Sequence, residues 1–374
     1  MADRRYETVI IGAGPAGMGA AIPLQKAHRD VCVLDRASFP RNKTCAGLVT
    51  LKTYRLIDRL YGGNIPEGLF CCTSEEVRLY RRTQLLVSAP LKRPVHLVNR
   101  REFDNALVEE YKRLGGVLYE GEARLCIDYD ADTVTLSDGS TIAYDNLLFA
   151  DGALSKAHHL LSTDKRKMAL GIEAYLPSSA LAYSSVGLYF GYLDDGYVWV
   201  FPHGDTVCIG AANLYDKKTD YRGLLTGILN DLGVSPDGVK YIGAFLPYGE
   251  VIDQERLPDN VMLLGDAGGF TDPISGEGLY MALQSGDCAA QAIAEAHPKA
   301  AYLDAMQAIV RIVNDGKKAQ KTFYSPMIQK IFTSTVKGRS GLVAYFFEQM
   351  VEDYRCEYRD IRKLLTDYKK QSKE

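Results

Sequence analysis

The stretch TVIIGAGPAGMGAAIPLQKAHRDVCVLD, residues 8–35, decides the fold. An apolar run ends at Gly12, a turn contains Gly14 and Gly17, a helix-forming stretch follows, and a second apolar run ends at Asp35. In G-x-G-x-x-G the first glycine makes a tight turn, the second lets backbone approach a pyrophosphate, and the third lets the helix pack on the strand. Asp35 lies 18 residues after Gly17, where a carboxylate can accept hydrogen bonds from ribose hydroxyls. The stretch therefore predicts a Rossmann-like dinucleotide site.

A glycine-rich turn that binds nothing is the alternative, because the pattern alone is weak. Its place between a strand and a helix favours phosphate binding, since free N–H groups at a helix N-terminus attract anions. Pro23 lies inside the helical stretch and removes a hydrogen bond to the carbonyl of Gly19. We therefore expect the helix to kink or to end early at Pro23.

The composition limits the class of protein. Of 374 residues, 47% are hydrophobic and 24% charged, which is typical of a globular chain with more than one domain. The net charge of −3 argues against a nucleic-acid partner. No run approaches the roughly 20 apolar residues of a membrane-spanning helix, and the first strand begins too early for a signal peptide. We expect a cytoplasmic protein that contacts a membrane, if at all, only peripherally.

The cysteines and histidines predict no metal site. The eight cysteines form no CxxC pair, and the six histidines show no ligand spacing with them. A chain of this size is also not a disulfide framework, so we expect reduced thiols. The adjacent pair Cys71 and Cys72 is interpreted as structural.

The pattern along the chain indicates interleaved domains. Alternating residues at 66–98 and 168–213 predict strands of a broad antiparallel sheet, and an amphipathic helix is predicted at 100–115. The predicted fold class is α/β (α+β overall), with a Rossmann-like nucleotide domain interleaved with an antiparallel-sheet domain, plus C-terminal helices. The predicted bounds are 1–65, 99–165 and 255–298 for the nucleotide domain, 66–98 and 166–254 for the sheet domain, and 299–374 for the helical region.

An apolar stripe with helical spacing lies near the C-terminus. We expect it to pack on the core, and an interfacial helix is the alternative because Lys330, Lys337 and Arg339 lie nearby. The stripe consists of Val343, Phe346, Phe347, Met350 and Tyr354.

Two later segments repeat the pattern of an acid and glycines after an apolar strand. They are FADG, residues 149–152, and LGDAGGFTDPISGEG, residues 264–278. Asp151 and Asp266 are candidates for contacts to the ribityl and pyrophosphate groups of FAD. A helix predicted at 276–296 would direct its positive end at a flavin ring. A plain helix start capped by Ser275 is the alternative.

The segment DRASFPRNKTCAG, residues 35–47, has unusual chemistry for a loop. It places Arg41, Lys43 and Cys45 directly after the predicted ribose site. We expect the loop to run along the cofactor, with the two cations compensating a pyrophosphate or an anionic head group of the substrate. A solvated loop is the alternative.

Taken together, the motifs GAGPAG, FPRNKTCAG, RREFD, ADG, YVWVFP and LGDAGGFTDPISGEG resemble those of the FAD-dependent geranylgeranyl reductase family. That family belongs to the para-hydroxybenzoate hydroxylase-like flavoprotein superfamily, and the resemblance covers residues 6–293. It implies an FAD-binding domain interleaved with a substrate domain. Ala46 stands where the family pattern has glycine, so a methyl group is expected where backbone approaches the flavin.

The resemblance implies a role for each matching position. Cys45, Tyr197 and Trp199 would lie on the catalytic side, with Cys45 facing the substrate as a proton donor or as an element of shape. The implied cofactor contacts are Gly12, Gly14, Ala16, Gly17, Asp35, Arg36, Arg41, Cys45, Ala46, Gly47, Arg100, Asp151, Gly152, Gly265, Asp266, Gly276, Gly278 and Leu279.

The implied activity is reduction of carbon–carbon double bonds in a hydrophobic, isoprenoid-like substrate such as a prenyl lipid or a quinone, by hydride from flavin N5. Because the sequence carries one nucleotide fingerprint, NAD(P)H or a reduced protein donor would reach the flavin transiently. A monooxygenase, or a halogenase, on the same scaffold is one alternative. A membrane-peripheral electron-transfer flavoprotein is another. The sequence leaves the oligomeric state open.

Overall fold

A computed structural model describes residues 2–160, 167–352 and 361–371, and the statements below refer to these residues. Their strands are β1 (Arg4–Ile11), β2 (Val31–Asp35), β3 (Leu48–Val49), β4 (Cys72–Arg81), β5 (Gln84–Leu97), β6 (Val117–Glu120), β7 (Cys126–Asp128), β8 (Thr133–Thr135), β9 (Thr141–Phe149), β10 (Met168–Pro177), β11 (Val186–Phe190), β12 (Tyr197–His203), β13 (Thr206–Leu214), β14 (Ile242–Pro247) and β15 (Val261–Leu263). Their α-helices are α1 (Pro15–Lys26), α2 (Leu51–Tyr61), α3 (Arg100–Arg113), α4 (Tyr221–Asp231), α5 (Leu279–Ala292), α6 (Pro298–Ala305), α7 (Gln307–Phe323), α8 (Pro326–Val336), α9 (Ser340–Phe346) and α10 (Ile361–Gln371).

The first sheet carries the glycine turn. Its strand order is β6-β2-β1-β9-β8-β7, and β15 also pairs with β9. The pairs of β1 with β2 and β9, of β2 with β6, and of β9 with β15 are parallel. Parallel strands end at the same edge of a sheet, so the residues that follow β1, β2, β9 and β15 meet there. This edge holds Gly12, Asp35, Asp151 and Asp266 in one row.

Helices α1 and α5 pack against each other with very close backbones. A Cβ on Gly286 would lie 2.3 Å from the carbonyl oxygen of Ala16, and one on Gly19 would lie 2.9 Å from that of Leu283. Pro23 does not end the first helix early, because α1 continues to Lys26, and the alternative of a kink at Pro23 stays a prediction. The close packing on α5 provides tertiary support for α1 that a local sequence pattern does not include.

The second sheet has the order β14-β10-β13-β12-β11-β4-β5-β3. The antiparallel prediction is right for most of its pairs, but β4 and β11 pair in parallel. A long connection containing strands β6–β9 of the first sheet separates these two strands, so no hairpin forces them to be antiparallel. Strands β4 and β5 form the hairpin of residues 72–97. The mixed α/β architecture with a Rossmann-like sheet and a second, mostly antiparallel sheet agrees with the predicted fold class; the domain bounds themselves stay a prediction.

The described part of residues 299–374 is helical. Val343 and Phe347 of the apolar stripe are buried and pack in one cluster with residues of β4, β5, β11 and β12. Tyr354, and the side chain of Met350, lie outside the described residues. Within the described ranges, no helix has the length and apolar character needed to cross a bilayer.

Candidate cofactor and substrate site

A cavity of about 1390 Å³ lies between the two sheets and the C-terminal helices. It begins at the carboxyl edge of the first sheet, passes the loop that carries Cys45, and ends between the second sheet and helices α7–α9. All predicted site residues line it except Gly17 and Gly265. The structure thus brings together positions 12 to 279 of the predicted set in a single continuous space.

Glycine is needed at the three fingerprint positions for different structural reasons. Gly12 has φ of 106°, and a Cβ there would lie 2.4 Å from the Ala150 carbonyl oxygen. A Cβ on Gly17 would lie 1.8 Å from the carbonyl oxygen of Gly12, so the fold itself requires glycine at both positions. Gly14 is different, because its Cβ would meet only a nitrogen of Arg41, at 3.4 Å. The space at Gly14 is available to a ligand.

The N-terminus of α1 faces this space. Its N-cap is Gly14, which provides no side-chain cap, and Pro15 occupies the first turn, where its missing N–H is not needed. The remaining free N–H groups and the helix dipole make this end suitable for a pyrophosphate.

Asp35 is fixed at the end of β2. One carboxylate oxygen accepts the backbone N–H of Ala13 at 2.7 Å, and the other accepts that of Ala37 at 2.8 Å. Because each carboxylate oxygen has two lone pairs, both can accept a further bond from a ribose hydroxyl. The arrangement orients the acceptor before any ligand binds.

Arg100 lies at the start of α3 and donates two hydrogen bonds to Asp104, at 2.7 and 3.0 Å. Arg41 reaches the same carboxylate at 3.2 Å and stacks on the ring of Phe39. Burial acts to lower the pKa of Arg100, but the Asp104 carboxylate outweighs it and the pKa stays above its ordinary value. The sequence motif included Asp104, but its role in orienting two arginines was not foreseen.

Asp151 and Asp266 follow β9 and β15. Asp151 accepts the Lys156 N–H at 2.8 Å through Oδ2, while its buried Oδ1 has no partner among the described residues. Burial raises the pKa of Asp151. Asp266 accepts the hydroxyl of Thr271 at 2.9 Å. An acceptor that is buried and unpaired at the wall of a cavity is suited to a ligand hydroxyl.

The loop before α5 differs from the prediction. Helix α5 begins at Leu279, with Gly278 rather than Ser275 at its N-cap. Asp272 instead accepts the N–H groups of Ile274 and Ser275, each at 2.9 Å, and this turn delays the helix. The predicted start at 276 was therefore early, but Gly276, Gly278 and Leu279 still line the cavity. Tyr197 ties this loop to the second sheet by donating its hydroxyl to the Ser275 carbonyl.

The Cys45 loop is held by its backbone. The N–H of Cys45 donates to Glu173 at 2.9 Å, and its carbonyl accepts the hydroxyl of Tyr175 at 3.2 Å. The carbonyl of Ala46 accepts from Nε2 of His203 at 2.9 Å. The Cys45 thiol accepts the N–H of Gly47 at 3.4 Å and also interacts with the side chain of Arg100. The backbone contacts of residues 45 and 46 thus tie the loop to the second sheet.

Glu173 was not predicted as a site residue. It is completely buried in β10, lines the cavity, and accepts both Cys45 N–H and the Tyr175 hydroxyl. Burial raises its pKa from the ordinary 4.5 to about 7. The available signal was the single acid in the apolar strand MALGIEAYLP, residues 168–177.

The far arm of the cavity is apolar. Trp199 lies in its wall and donates its indole N–H to the sulfur of Cys208 at 3.4 Å. A Cβ on Gly210 would lie 2.2 Å from the Trp199 ring, so glycine makes room for the indole. The other apolar residues of this arm include Val77, Leu79, Val186, Leu188, Phe190, Phe323, Phe332, Val336, Val343 and Phe347.

The sequence is similar to those of known oxidoreductases. Residues 6–170 match the family of pyridine nucleotide-disulphide oxidoreductases. An uncharacterized protein of Methanosarcina barkeri is 30% identical over 295 residues, covering 78% of this chain and 75% of the relative. A menaquinone reductase of Mycolicibacterium smegmatis is 28% identical (77% and 76% covered), as is a geranylgeranyl diphosphate reductase of Rhodobacter capsulatus (77% and 75%). The chain belongs to the FAD-dependent geranylgeranyl reductase family.

Solved structures agree on the fold. A geranylgeranyl bacteriochlorophyll reductase-like protein of Thermoplasma acidophilum superposes with a TM-score of 0.71 at 15% identity, covering 98% of this chain and 99% of that protein. A halogenase in complex with phloroglucinol and FAD also gives 0.71, at 17% identity, covering 96% of this chain and 85% of the halogenase. At these identities the likeness extends to the fold alone. As a member of the geranylgeranyl reductase family, the protein is an FAD-dependent oxidoreductase.

The described residues fit the cofactor of the geranylgeranyl reductase family. Gly14 leaves a space at a helix N-terminus, Asp35 has lone pairs directed at the same edge, and Asp151 has a buried oxygen without a partner. These features would provide an anion site and two hydroxyl sites, in the order along the edge that a dinucleotide requires. No group of three His, Cys, Asp or Glu side chains suited to a metal ion occurs in the described ranges.

Proposed function

We propose that this protein reduces carbon–carbon double bonds of a hydrophobic, isoprenoid-like substrate. The observation that carries this proposal is the continuity of one cavity, from the anion-binding end of α1 to an apolar arm with aromatic walls. A long prenyl chain is complementary to such an arm, because burial of its apolar groups is favourable in proportion to their area. When bound, reduced FAD supplies the hydride for such a reaction.

Different residues of the cavity would bind the cofactor, position the loops and contact the substrate. Asp35, Asp151 and Asp266 would accept hydroxyls of the cofactor, and the N-terminus of α1 together with Arg41 would bind its phosphates. Tyr197 would hold the loop before α5 against the substrate sheet. The Cys45 loop would separate the polar end of the cavity from the apolar arm. Trp199 would form part of the wall that contacts the prenyl chain.

The names of two relatives support a prenylated substrate. One is a geranylgeranyl diphosphate reductase and the other a menaquinone reductase, so both names refer to molecules with isoprenoid chains. A diphosphate and a quinone differ at the head group. Lys43 lines the cavity, and a cation there would favour the anionic head group.

The apolar arm opens near α8, which supports a peripheral membrane contact. Ile331 lines the cavity and is 53% exposed, and Met327, one turn earlier, is 68% exposed. Leu85 is 48% exposed on the β4–β5 hairpin, which the Gly338 N–H joins to the end of α8 through the Leu86 carbonyl. We call Leu85, Met327 and Ile331 the rim. Lys330, in the middle of α8, and Lys337, at its C-terminal end, are also exposed, and cations there would favour an anionic lipid surface.

Anaerobic reoxidation tests the proposed activity. The holoenzyme is photoreduced without oxygen and mixed with geranylgeranyl diphosphate or with menaquinone, while the flavin absorbance is followed. Reoxidation together with a product two mass units heavier per reduced bond is expected, and with menaquinone the added hydrogens should lie in the prenyl chain and remain after any quinol is reoxidised in air. Substrate-stimulated uptake of oxygen with an oxygenated product would instead identify a monooxygenase. Mixing the oxidised enzyme with NADH, NADPH or a reduced ferredoxin then identifies the electron donor by the rate of flavin bleaching.

A further inference from the structure

Glu173 is an acid in a place where a sheet normally buries apolar residues. It lies in the middle of β10, opposite Gly210 of β13 and Ile242 of β14, and none of its surface is exposed to solvent. No ion pair within 4 Å joins it to a described lysine, arginine or histidine. A buried carboxylate without a counter-ion is expensive, so such a group either stays protonated or changes its protonation readily.

The hydrogen bonds of Glu173 allow both protonation states. Oε1 accepts two donors, the Cys45 N–H at 2.9 Å and the Tyr175 hydroxyl at 3.3 Å. Oε2 has only the thiol of Cys208, at 3.7 Å. The Tyr175 hydroxyl carries one proton and reaches both Oε1 and the Cys45 carbonyl, so it can donate to the ionised carboxylate or, while donating to the carbonyl, accept from a proton held on Oε1. The bond from the Cys45 N–H to Oε1 can persist in both states.

The titratable neighbours of Glu173 come from the cavity loop, β10, β12 and β13. They are Lys43 and Cys45 on the cavity loop, Tyr175 on β10 itself and Cys208 on β13, with His203 of β12 in edge contact with the Tyr175 ring at 5.5 Å. Burial lowers the pKa of His203 and raises that of Cys208, so both are neutral at pH 7. Lys43 is then the one full charge among these groups, and it favours the carboxylate. Burial opposes it and raises the pKa of Glu173 to about 7.

Glu173 also lies between the cavity and the solvent-exposed surface of the protein at Tyr175. Residue 173 lines the cavity, whereas Tyr175, two residues later on the same face of β10, is 36% exposed. The Tyr175 hydroxyl contacts both the Glu173 carboxyl and the Cys45 carbonyl. This hydroxyl can exchange a proton between solvent and the carboxyl, because it both donates and accepts. The carboxyl thus has a connection to water that does not pass through the substrate space.

We propose that Glu173 is the acid of the substrate site, which delivers the proton consumed when a carbon–carbon double bond is reduced. The inference rests on the proposed function. One alkene carbon receives the hydride of the reduced flavin, the other receives the Glu173 proton, and the two new C–H bonds replace the π bond. Glu173 is left as a carboxylate and regains a proton from water through Tyr175. Cys45 then contributes its backbone N–H to the carboxylate and its side chain to the shape of the cavity.

An infrared titration measures the protonation of the Glu173 carboxyl directly, without turnover. Infrared spectra of the oxidised holoprotein between pH 5 and pH 9 are expected to contain one carboxyl band that disappears with a midpoint near pH 7. Glu173→Gln should remove this band and Glu173→Asp should keep it. Tyr175→Phe should move the midpoint upward, because it removes a donor to the ionised form. Persistence of the band in Glu173→Gln would assign it elsewhere and overturn the proposal.

A single-turnover experiment tests whether Glu173 transfers its proton to the substrate. Photoreduced holoenzyme is mixed anaerobically with geranylgeranyl diphosphate, and the first reoxidation is followed between pH 5.5 and pH 8.5. The wild-type rate is expected to fall above about pH 7. Glu173→Gln should be slower by about 100-fold or more and lose this pH dependence, since general acids contribute roughly 10²–10⁴-fold. Glu76→Gln, in the same sheet but outside the cavity lining, is the matched control.

The possible results distinguish a failure of the role given to Glu173 from a failure of the proposed function. If the wild-type flavin is reoxidised and Glu173→Gln reacts at the same rate with the same pH profile, Glu173 is not the acid and the proposed function stands. If Cys45→Ala, rather than Glu173→Gln, abolishes the pH dependence, the thiol is the donor and Glu173 is not. If the wild-type flavin is not reoxidised by the prenyl substrate at all, the proposed function fails and the role of Glu173 fails with it.

Discussion

Arg100 and Asp104 form a two-point ion pair one helical turn apart, with N–O distances of 2.7 and 3.0 Å. Asp104 is fully buried, and Arg41 from the cavity loop reaches the same carboxylate at 3.2 Å. One buried acid thus orients two arginines whose side chains line the cavity. The net charge of this cluster is positive, which suits a pyrophosphate.

Asp104→Asn should lower the free energy of unfolding by about 3 kcal/mol, because it leaves the buried guanidinium of Arg100 without its counter-ion. Urea unfolding of the FAD-free protein measures this directly. Glu109→Gln on the same helix is the control, since its pair with Lys112 is exposed and should contribute about 0.5 kcal/mol or less. Equal stability of Asp104→Asn and Glu109→Gln would contradict the structural role given to Asp104.

Gly14→Ala should keep the fold and weaken FAD binding at least tenfold. Its φ of −77° is accessible to alanine, and the new methyl group meets only the Arg41 side chain, at 3.4 Å. Gly17→Ala should instead fail to fold normally, because its methyl group would overlap the Gly12 carbonyl. Thermal unfolding and fluorescence titration with FAD distinguish the two effects. Unchanged FAD affinity in a folded Gly14→Ala protein would show that no phosphate approaches this turn.

Much of the nucleotide end could be predicted from the sequence, because its motifs are local. Strand, glycine turn, helix and acid lie within residues 8–35, and each requirement is met by neighbours in the chain. Gly17 and Gly265 were assigned to the cofactor, yet neither lines the cavity. Both glycines serve close packing with a helix. For Gly17 this is the role that the third glycine of the fingerprint predicts, whereas at Gly265 the pattern does not distinguish close approach to a ligand from close approach to a helix.

The substrate end could be predicted only in outline. The parallel pair of β4 and β11 joins segments about 100 residues apart, and no local pattern specifies such a pairing. Glu173 could not be predicted from the sequence because its role depends on contacts with residues 45 and 208, which are distant from it in the chain. The predicted start of α5 at residue 276 is three residues too early, because Asp272 forms a turn that competes with the helix.

Cys45→Ala should retain FAD and lose most of its turnover. The loop is held by the backbone N–H and carbonyl of residue 45, which the substitution preserves, so the cofactor end of the cavity should be unaffected. The thiol itself lines the cavity and is replaced by a smaller methyl group. Flavin absorbance reports binding, and steady-state turnover with a prenyl substrate reports activity. Full activity would remove the Cys45 side chain from the reaction.

Met327→Glu combined with Ile331→Glu should reduce binding to anionic vesicles at least tenfold. Both side chains belong to the exposed rim, and burial of each in a lipid interface would contribute about 1.5 kcal/mol or more. Co-sedimentation with phosphatidylglycerol vesicles measures the change. Met327→Glu alone is compared with Val117→Glu, on an exposed apolar residue of the first sheet, to control for one added charge away from the rim. Equal binding of the two variants would place any membrane contact elsewhere.

The stability of the protein should depend on pH through Glu173. Burial raises the pKa of this carboxyl from 4.5 to about 7. Between these values the folded state binds a proton that the unfolded chain releases, so the contribution of Glu173 to stability is fully present below pH 4.5 and is lost as the pH rises to about 7. Glutamine does not titrate. Relative to Glu173→Gln, the wild-type free energy of unfolding should therefore fall by about 3 kcal/mol between pH 4.5 and pH 8, as measured by urea unfolding of the FAD-saturated proteins.

Glu76→Gln supplies the control of opposite sign for this measurement. The hydrogen bond from Ser88 lowers the pKa of Glu76, so its stabilising contribution is present above the unfolded-state pKa and is lost only on acidification. The wild-type protein compared with Glu76→Gln should thus show no loss of stability as the pH rises from 5 to 8. A constant difference between wild type and Glu173→Gln over the same interval would mean that Glu173 does not change its protonation there, and the carboxyl could not then store the proton assigned to it.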